Sequence, residues 1–167
     1  MDAVNLNCKG EETIWMEPKG WFSWDYDLIQ GGTRLASISL AWIREKGEFT
    51  LGPEKFSLFR DGIAGPFILA DDGGHVLAKG VKPSLFQRRF ELERDAHGYV
   101  LEADSFFGNT YNLLEAGTVI GTIRCRRLLS WKGEASLPPE LPLPFRIFVL
   151  WLVIILWKRD AQGSAGS

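Results

Sequence analysis

The chain has 167 residues, enough for one domain that buries about two thirds of its unfolded surface. Charged residues make up 24% and AVILMFWYC residues 46%, which excludes a disordered chain. Nineteen Lys+Arg against 21 Asp+Glu leave a net charge of −2, which excludes the basic excess of a nucleic-acid-binding domain.

The start, MDAVNLNCKGEE, has no basic region followed by an apolar stretch, so no signal peptide is expected. Two cysteines, Cys8 and Cys125, cannot staple a disulfide scaffold and suit a reducing compartment, so a cytoplasmic location is expected. Strand-like runs follow near Trp21–Leu28, Arg34–Trp42, Gly47–Leu51, Lys55–Arg60 and Pro66–Ala70. More come near His75–Val81, Phe86–Arg94, Tyr99–Ala103, Thr110–Leu114, Thr118–Arg124 and Arg126–Trp131. Gly31-Gly32, Gly52-Pro53, Asp61-Gly62, Asp72-Gly73-Gly74 and Gly108-Asn109 separate them, supplying the positive φ values of tight turns. Alternation puts Phe56, Leu58, Phe90 and Leu92 on one face, and Ser57, Phe59, Glu91 and Glu93 on the other. No stretch before Leu137 sustains a helical period.

The end differs. Ile147 to Trp157 reads IFVLWLVIILW, eleven apolar residues stopped by Lys158, Arg159 and Asp160. That is short of the roughly 20 residues of a membrane span. Pro144 suits a first helical turn, so a helix over 144–159 is expected. Apolar on every side, it must be enclosed by protein or by lipid. The last residues, QGSAGS, read as a flexible tail. The whole is one domain over 1–162, with strands from about 13 to 135 and a tail over 163–167.

Two repeats run through the strands. Phe56-Ser-Leu58-Phe-Arg60-Asp61 returns 34 residues later as Phe90-Glu-Leu92-Glu-Arg94-Asp95, and Gly65–Asp71 resembles Gly98–Asp104. Gly32-Thr-Arg-Leu-Ala36, Gly74-His-Val-Leu-Ala78 and Gly117-Thr-Val-Ile-Gly121 recur at spacings of 42 and 43 residues. Three units of about four strands are too few for a propeller, but as a closed barrel of about twelve strands they leave no edge and can enclose a helix. Ala36, Ala78 and Gly121 then either line an inner wall that lets the helix approach or are the small residues common near turns. Phe148, Trp151, Ile155 and Trp157 are the candidate plug residues of that helix.

With the unit Phe56–Asp71, its copy Phe90–Asp104, the segment Ala103–Tyr111, the unit Gly117–Arg124 and the helix Ile147–Trp157, the chain resembles the tubby-like superfamily over roughly residues 20–160. That group comprises tubby C-terminal domains, plant LURP-one-related proteins and phospholipid scramblases. The resemblance implies a mainly β fold, a closed twelve-stranded barrel around a hydrophobic C-terminal helix. It further implies binding of anionic lipid headgroups, as in tubby domains, or a scramblase-like membrane role. No headgroup-binding motif maps onto particular positions.

The chemistry-bearing residues are sparse. His75 and His97 flank turn glycines and read as exposed turn residues rather than catalytic bases. The scattered His and Cys lack zinc spacing, and no EF-hand or nucleotide loop is present, so no metal, cofactor or catalytic residue is expected. Asp25 and Asp27 flank Tyr26, and Asp71-Asp72 suit a hairpin turn. Arg88, Arg89, Arg124, Arg126 and Arg127, with Lys132, gather in the second half. Arg124 and Arg126 share a strand face and form either an anion-binding pair or a solvated barrel exterior. Trp15, Trp21, Phe22, Trp24 and Tyr26 suit either a membrane interface or a strand covering a barrel end. The function expected is a non-catalytic binding or scaffold module that recognises an anionic lipid, a membrane surface or a protein. The competing readings are a tail-anchored or scramblase-like membrane protein and a hydrolase with an unrecognised site.

Overall fold

A computed structural model describes residues 12–21, 23–41, 45–84, 87–106, 108–127 and 130–164. The fold is mainly β. Twelve antiparallel strands close into a barrel, and one helix follows them. The strands are β1 (Ile14–Pro18), β2 (Tyr26–Gln30), β3 (Thr33–Ala41), β4 (Lys46–Leu51), β5 (Glu54–Arg60) and β6 (Phe67–Asp71). They continue as β7 (Val76–Val81), β8 (Arg89–Arg94), β9 (His97–Ala103), β10 (Thr110–Glu115), β11 (Thr118–Arg127) and β12 (Lys132–Ser136). Each strand pairs with its sequence neighbours, and β1 closes the ring on β12 through Ile14 opposite Ala135. The helix, α1, spans Leu143–Ser164.

Alternation decides what faces in. Ile14, Met16, Tyr26, Leu28, Phe56, Leu58, Phe90, Leu92, Tyr111 and Leu113 are all buried, each two residues from the next on its strand. Along α1 every residue from Ile147 to Trp157 is at most 3% exposed. A helix buried on all sides needs no polar stripe, which is why its apolar run has no amphipathic period. Among the described residues no helix is long and apolar enough to cross a membrane.

The inner wall is cut away where the helix is widest. A Cβ at Gly133 would lie 2.7 Å from Trp157 Cη2, one at Gly47 3.2 Å from Trp151 Nε1, and one at Gly80 3.5 Å from Phe148 Cζ. Ala36 and Ala78 are buried in the wall as the repeat suggests, whereas the space beside Gly121 is taken by Leu137 rather than by the helix.

The 42-residue repeat is structural. Leu28 faces Ala36, Leu69 faces Ala78 and Leu113 faces Gly121, and a bulge follows each pair in the same place. The inserted residues are Leu35, Leu77 and Ile120. The hairpins β2–β3, β6–β7 and β10–β11 are therefore three copies of one unit, four strands apart around the ring. The 34-residue repeat is not. β5 and β8 lie three strands apart in an antiparallel meander, so they run in opposite directions.

Several boundaries differ from expectation. The strand expected over Trp21–Leu28 starts at Tyr26, and Ile14–Pro18 is a strand of its own. Where a strand is expected over Arg126–Trp131, β11 runs on through Arg127 and the last strand is Lys132–Ser136, with 128–129 outside the described residues. The helix continues past Arg159 into the segment expected to be a flexible tail, because no glycine or proline stops it before Gly163. Residues 165–167 lie outside the described residues.

Candidate functional site

The two ends of the barrel are unlike. At one end, tight turns join β2–β3, β4–β5, β6–β7, β8–β9 and β10–β11. At the other, the connections run over 19–25, 42–45, 61–66, 82–88, 104–109 and 128–131, four to seven residues each against two to four at the first end. Antiparallel alternation puts all of these at one mouth, and α1 emerges there at Lys158, Arg159 and Asp160.

Cations from distant elements meet at this mouth. Arg60, the last residue of β5, donates to Glu45 Oε2 at 3.3 Å. Arg159 donates to Glu45 Oε1 from Nε at 3.0 Å and from Nη2. Both guanidiniums lie over the same Phe67 ring, at 5.1 and 5.8 Å from its centre. Arg88 forms a second node. It donates to Asp160 Oδ2 at 2.8 Å, to the Tyr111 hydroxyl at 2.7 and 3.1 Å, and to the Phe106 carbonyl at 3.2 Å. Burial pushes the Tyr111 hydroxyl up to about 12. Lys82 follows the last residue of β7 at the same mouth. Burial, then the charges of Arg159, Arg60 and Arg88, hold its ammonium below the usual lysine range, with Asp160 opposing. Burial likewise lowers Lys158, with Glu45 opposing.

Two open grooves flank Arg159. One of about 590 Å³ is lined by Leu40, Glu45, Arg60, Ile63 and Lys158. The other, about 1250 Å³, runs along Arg88, Arg89, Glu102, Phe106 and Asp160. Ile63 and Phe106, which line the grooves, and Trp21, in the β1–β2 connection at the same mouth, are 96%, 81% and 94% exposed. Among the described residues, the other exposed large apolar side chains, Val76, Val81 and Val119, are half exposed and lie in strands.

The arginines singled out from the sequence fall in three places. Arg88 belongs to the mouth. Arg89 projects from β8 and pairs with Glu102 at 3.4 Å and Glu91 at 3.8 Å. Arg124 and Arg126 project from β11, share Glu134 at 3.9 and 2.8 Å, and Arg126 lies over the Trp15 ring. Two strands separate β8 from β11, so the groups stand about 14 Å apart at the usual strand spacing. That exceeds a Debye length of about 8 Å in physiological salt. With carboxylates beside them and that separation, they do not form one field. The Arg127 side chain, Cys8 and Phe22 lie outside what is described.

The aromatic group divides as well. Tyr26 is core and donates to the Trp131 carbonyl at 2.9 Å. Trp24 packs on Trp131 at 5.7 Å, Trp15 lies on the outer wall, and Trp21 is at the mouth. Cys125 is half-buried in β11. Asp25 accepts from the Leu40 N–H at 2.8 Å, and Asp27 accepts from Ser37 and pairs with Lys19 at 3.7 Å. His75 sits on an exposed turn with Nδ1 3.1 Å from both Asp71 carboxylate oxygens; its backbone N–H is the main cause of the lowered Asp71 carboxyl. His97 Nδ1 lies 3.0 Å from the Asp95 carbonyl on another turn. Among the described residues no three His, Cys, Asp or Glu side chains gather as metal ligands would.

Arg60, Lys82 and Arg159 are missing from the sequence-based candidates. Arg159 read only as a stop to the apolar run, and Arg60 only as part of a repeat. The signal that could have found them is topological: strand ends of one parity meet at one mouth. No protein-family model matches the chain, and no curated protein or solved structure matches it either.

Proposed function

We propose that the chain is a non-catalytic, tubby-like binding module that docks on anionic membrane surfaces through the mouth where α1 emerges. The observation that carries this reading is the cluster of Arg60, Lys82, Arg88, Lys158 and Arg159 about Glu45 and Asp160, at one end of a chain whose net charge is −2. Asp61 and Asp104 in the adjoining loops and the roughly half negative charge of the helix C-terminus reduce that excess without cancelling it. A local field of this kind acts over a Debye length whatever the total charge. The enclosure of Ile147–Trp157 favours this over a tail anchor, since the same residues cannot fill the barrel and a bilayer at once.

Co-sedimentation with vesicles tests it. Lys82→Ala/Arg88→Ala should release the protein from anionic vesicles, at about 1 kcal/mol per basic residue. Arg124→Ala/Arg126→Ala, on the wall, should bind as wild type. Equal recovery with anionic and neutral vesicles would overturn membrane docking. Release by the wall pair alone would move the site to β11.

A further inference from the structure

The exposed apolar residues at the mouth are placed by the repeat. Trp21, Ile63 and Phe106 are 42 and 43 residues apart, the same spacings as Gly32, Gly74 and Gly117. They sit in the connections β1–β2, β5–β6 and β9–β10, each four strands from the next around a ring of twelve. The fold thus sets one large, 81–96% exposed apolar side chain at each third of the rim.

Two of the three tips are braced by the cation cluster itself. Arg60 Nε donates to the Gly65 carbonyl at 3.2 Å, and Asp61 N–H to the Pro66 carbonyl at 2.8 Å, closing the Ile63 loop. Arg88 Nη1 donates to the Phe106 carbonyl at 3.2 Å, and Asp104 N–H to the Thr110 carbonyl at 2.9 Å. The Trp21 loop is closed by Lys19 N–H to the Asp25 carbonyl at 2.9 Å and Ser23 N–H to the Gly20 carbonyl at 3.3 Å. Single exposed apolar side chains are ordinary on protein surfaces, but three set at equal intervals around one rim, beside a cation cluster, point to something apolar that meets all three at once.

The spacing identifies what. A twelve-stranded barrel with ordinary strand spacing and tilt has a radius of roughly 12 Å, so the tips stand roughly 20 Å apart. Among the described residues, three single side chains so far apart make no continuous patch of the kind that forms the core of a protein interface. A flat fluid surface touches all three. Cations between the tips match an anionic headgroup layer, with the apolar groups at acyl-chain depth.

We propose that Trp21, Ile63 and Phe106 form a three-point anchor that inserts into an anionic phospholipid monolayer and stands the barrel axis close to the membrane normal. This rests on the mouth-first docking proposed above. It adds a component that salt does not screen.

The experiment uses the full chain and phosphatidylcholine vesicles with and without phosphatidylserine. Trp21→Ser, Ile63→Ser, Phe106→Ser and the triple variant are compared at low and high salt. Wild type should keep a bound fraction at high salt. Each single variant should weaken partition about tenfold, and the triple variant should lose the high-salt fraction while keeping low-salt binding. Brominated acyl chains should quench wild type more than Trp21→Phe, the difference between the two isolating Trp21 from the other six tryptophans. Unchanged thermal unfolding of the serine variants shows that folding is not the cause. Low-salt binding that all variants share, fully reversed by salt, would overturn the anchor and leave the docking. No binding of wild type to anionic vesicles would overturn the docking and the anchor with it. Wild-type self-association abolished in the triple variant, with no lipid binding, would make a second copy the occupant and overturn lipid insertion.

Discussion

Arg60 and Arg159 rest their guanidiniums on opposite sides of one problem: both lie over the Phe67 ring and both bond to Glu45, although one ends β5 and the other sits on α1. A single carboxylate and a single ring hold two like charges together and tie the helix end to the barrel.

Removing the shared acid therefore has two effects of opposite sign. Glu45→Gln should lower stability by about 1 kcal/mol, a figure discounted for the partial exposure of the pair. It should also strengthen association with anionic vesicles, because the mouth loses a negative charge. Urea unfolding and co-sedimentation on the same preparation check both. A variant weaker in both measurements would mean that the latch positions the cations rather than offsetting them.

The inner wall should reject added volume where the tryptophans press on it. Gly133→Ala would place a Cβ 2.7 Å from Trp157 Cη2 and 3.2 Å from Met16 Sδ, and is expected to cost about 1–3 kcal/mol. Gly80→Ala meets its neighbours at longer range and at flexible leucine ends, Leu92 Cδ2 at 3.0 Å and Leu152 Cδ1 at 3.4 Å, and should cost less. Denaturant midpoints rank the two, and a Gly80→Ala cost above that of Gly133→Ala would contradict the packing described.

The opposite substitution should help at the tight-turn end. Asp95 and Ala96 hold φ at 48° and 62° in the β8–β9 turn, and Ala116 at 48° before Gly117. An alanine in the left-handed region costs about 1 kcal/mol, which glycine does not incur there. Ala96→Gly and Ala116→Gly should each raise the midpoint, less the added entropy of the unfolded chain.

The two plug tryptophans should respond differently to loss of their N–H. Trp157 Nε1 donates to the Asn109 carbonyl at 3.3 Å, whereas Trp151 Nε1 is buried without a hydrogen-bond partner among the described residues. Trp157→Phe removes volume and a bond, while Trp151→Phe removes volume and an unsatisfied donor. The second should be the milder by about 1 kcal/mol or more. Trp151→Asp, which buries an unpaired charge, should abolish soluble expression.

Alkali should unfold the protein in a defined window. Tyr26 and Tyr111 are raised by burial, so the folded chain keeps phenolic protons that the unfolded chain releases near pH 10. Their contribution is complete below pH 10 and, for Tyr111, is lost as pH rises to about 12. Lys82 and Lys158, lowered in the folded state, act the other way, raising stability with pH up to about 10.5. Urea unfolding from pH 9 to 12 should therefore show a steep loss only above about pH 10.5, shallower in Tyr111→Phe.

Much of the barrel was legible because its strands alternate. Phe56, Leu58, Phe90 and Leu92 each stand between polar or outward residues, and the structure buries all four. β12 was not legible, since its inward positions are Gly133 and Ala135 and the volume there comes from Trp157 and Met16. Tertiary packing, not local pattern, decides that strand. The cation cluster was hidden for a related reason: Glu45, Arg60, Lys82, Arg88 and Arg159 are scattered in sequence and meet only through strand parity. Arg88-Arg89 drew notice as a pair, yet the two side chains serve different surfaces.

Because α1 follows all twelve strands, the part that fills the interior is synthesised after everything that encloses it. The strands can zip in order, each onto its predecessor, with only the β1–β12 seam joining distant segments. Until Leu143–Trp157 has been made, however, the ring has nothing to close upon and its apolar lining is open to water and to other chains. Ring closure and helix capture are thus expected as one late event, and a nascent chain arrested before α1 should expose its apolar lining rather than fold as a smaller protein.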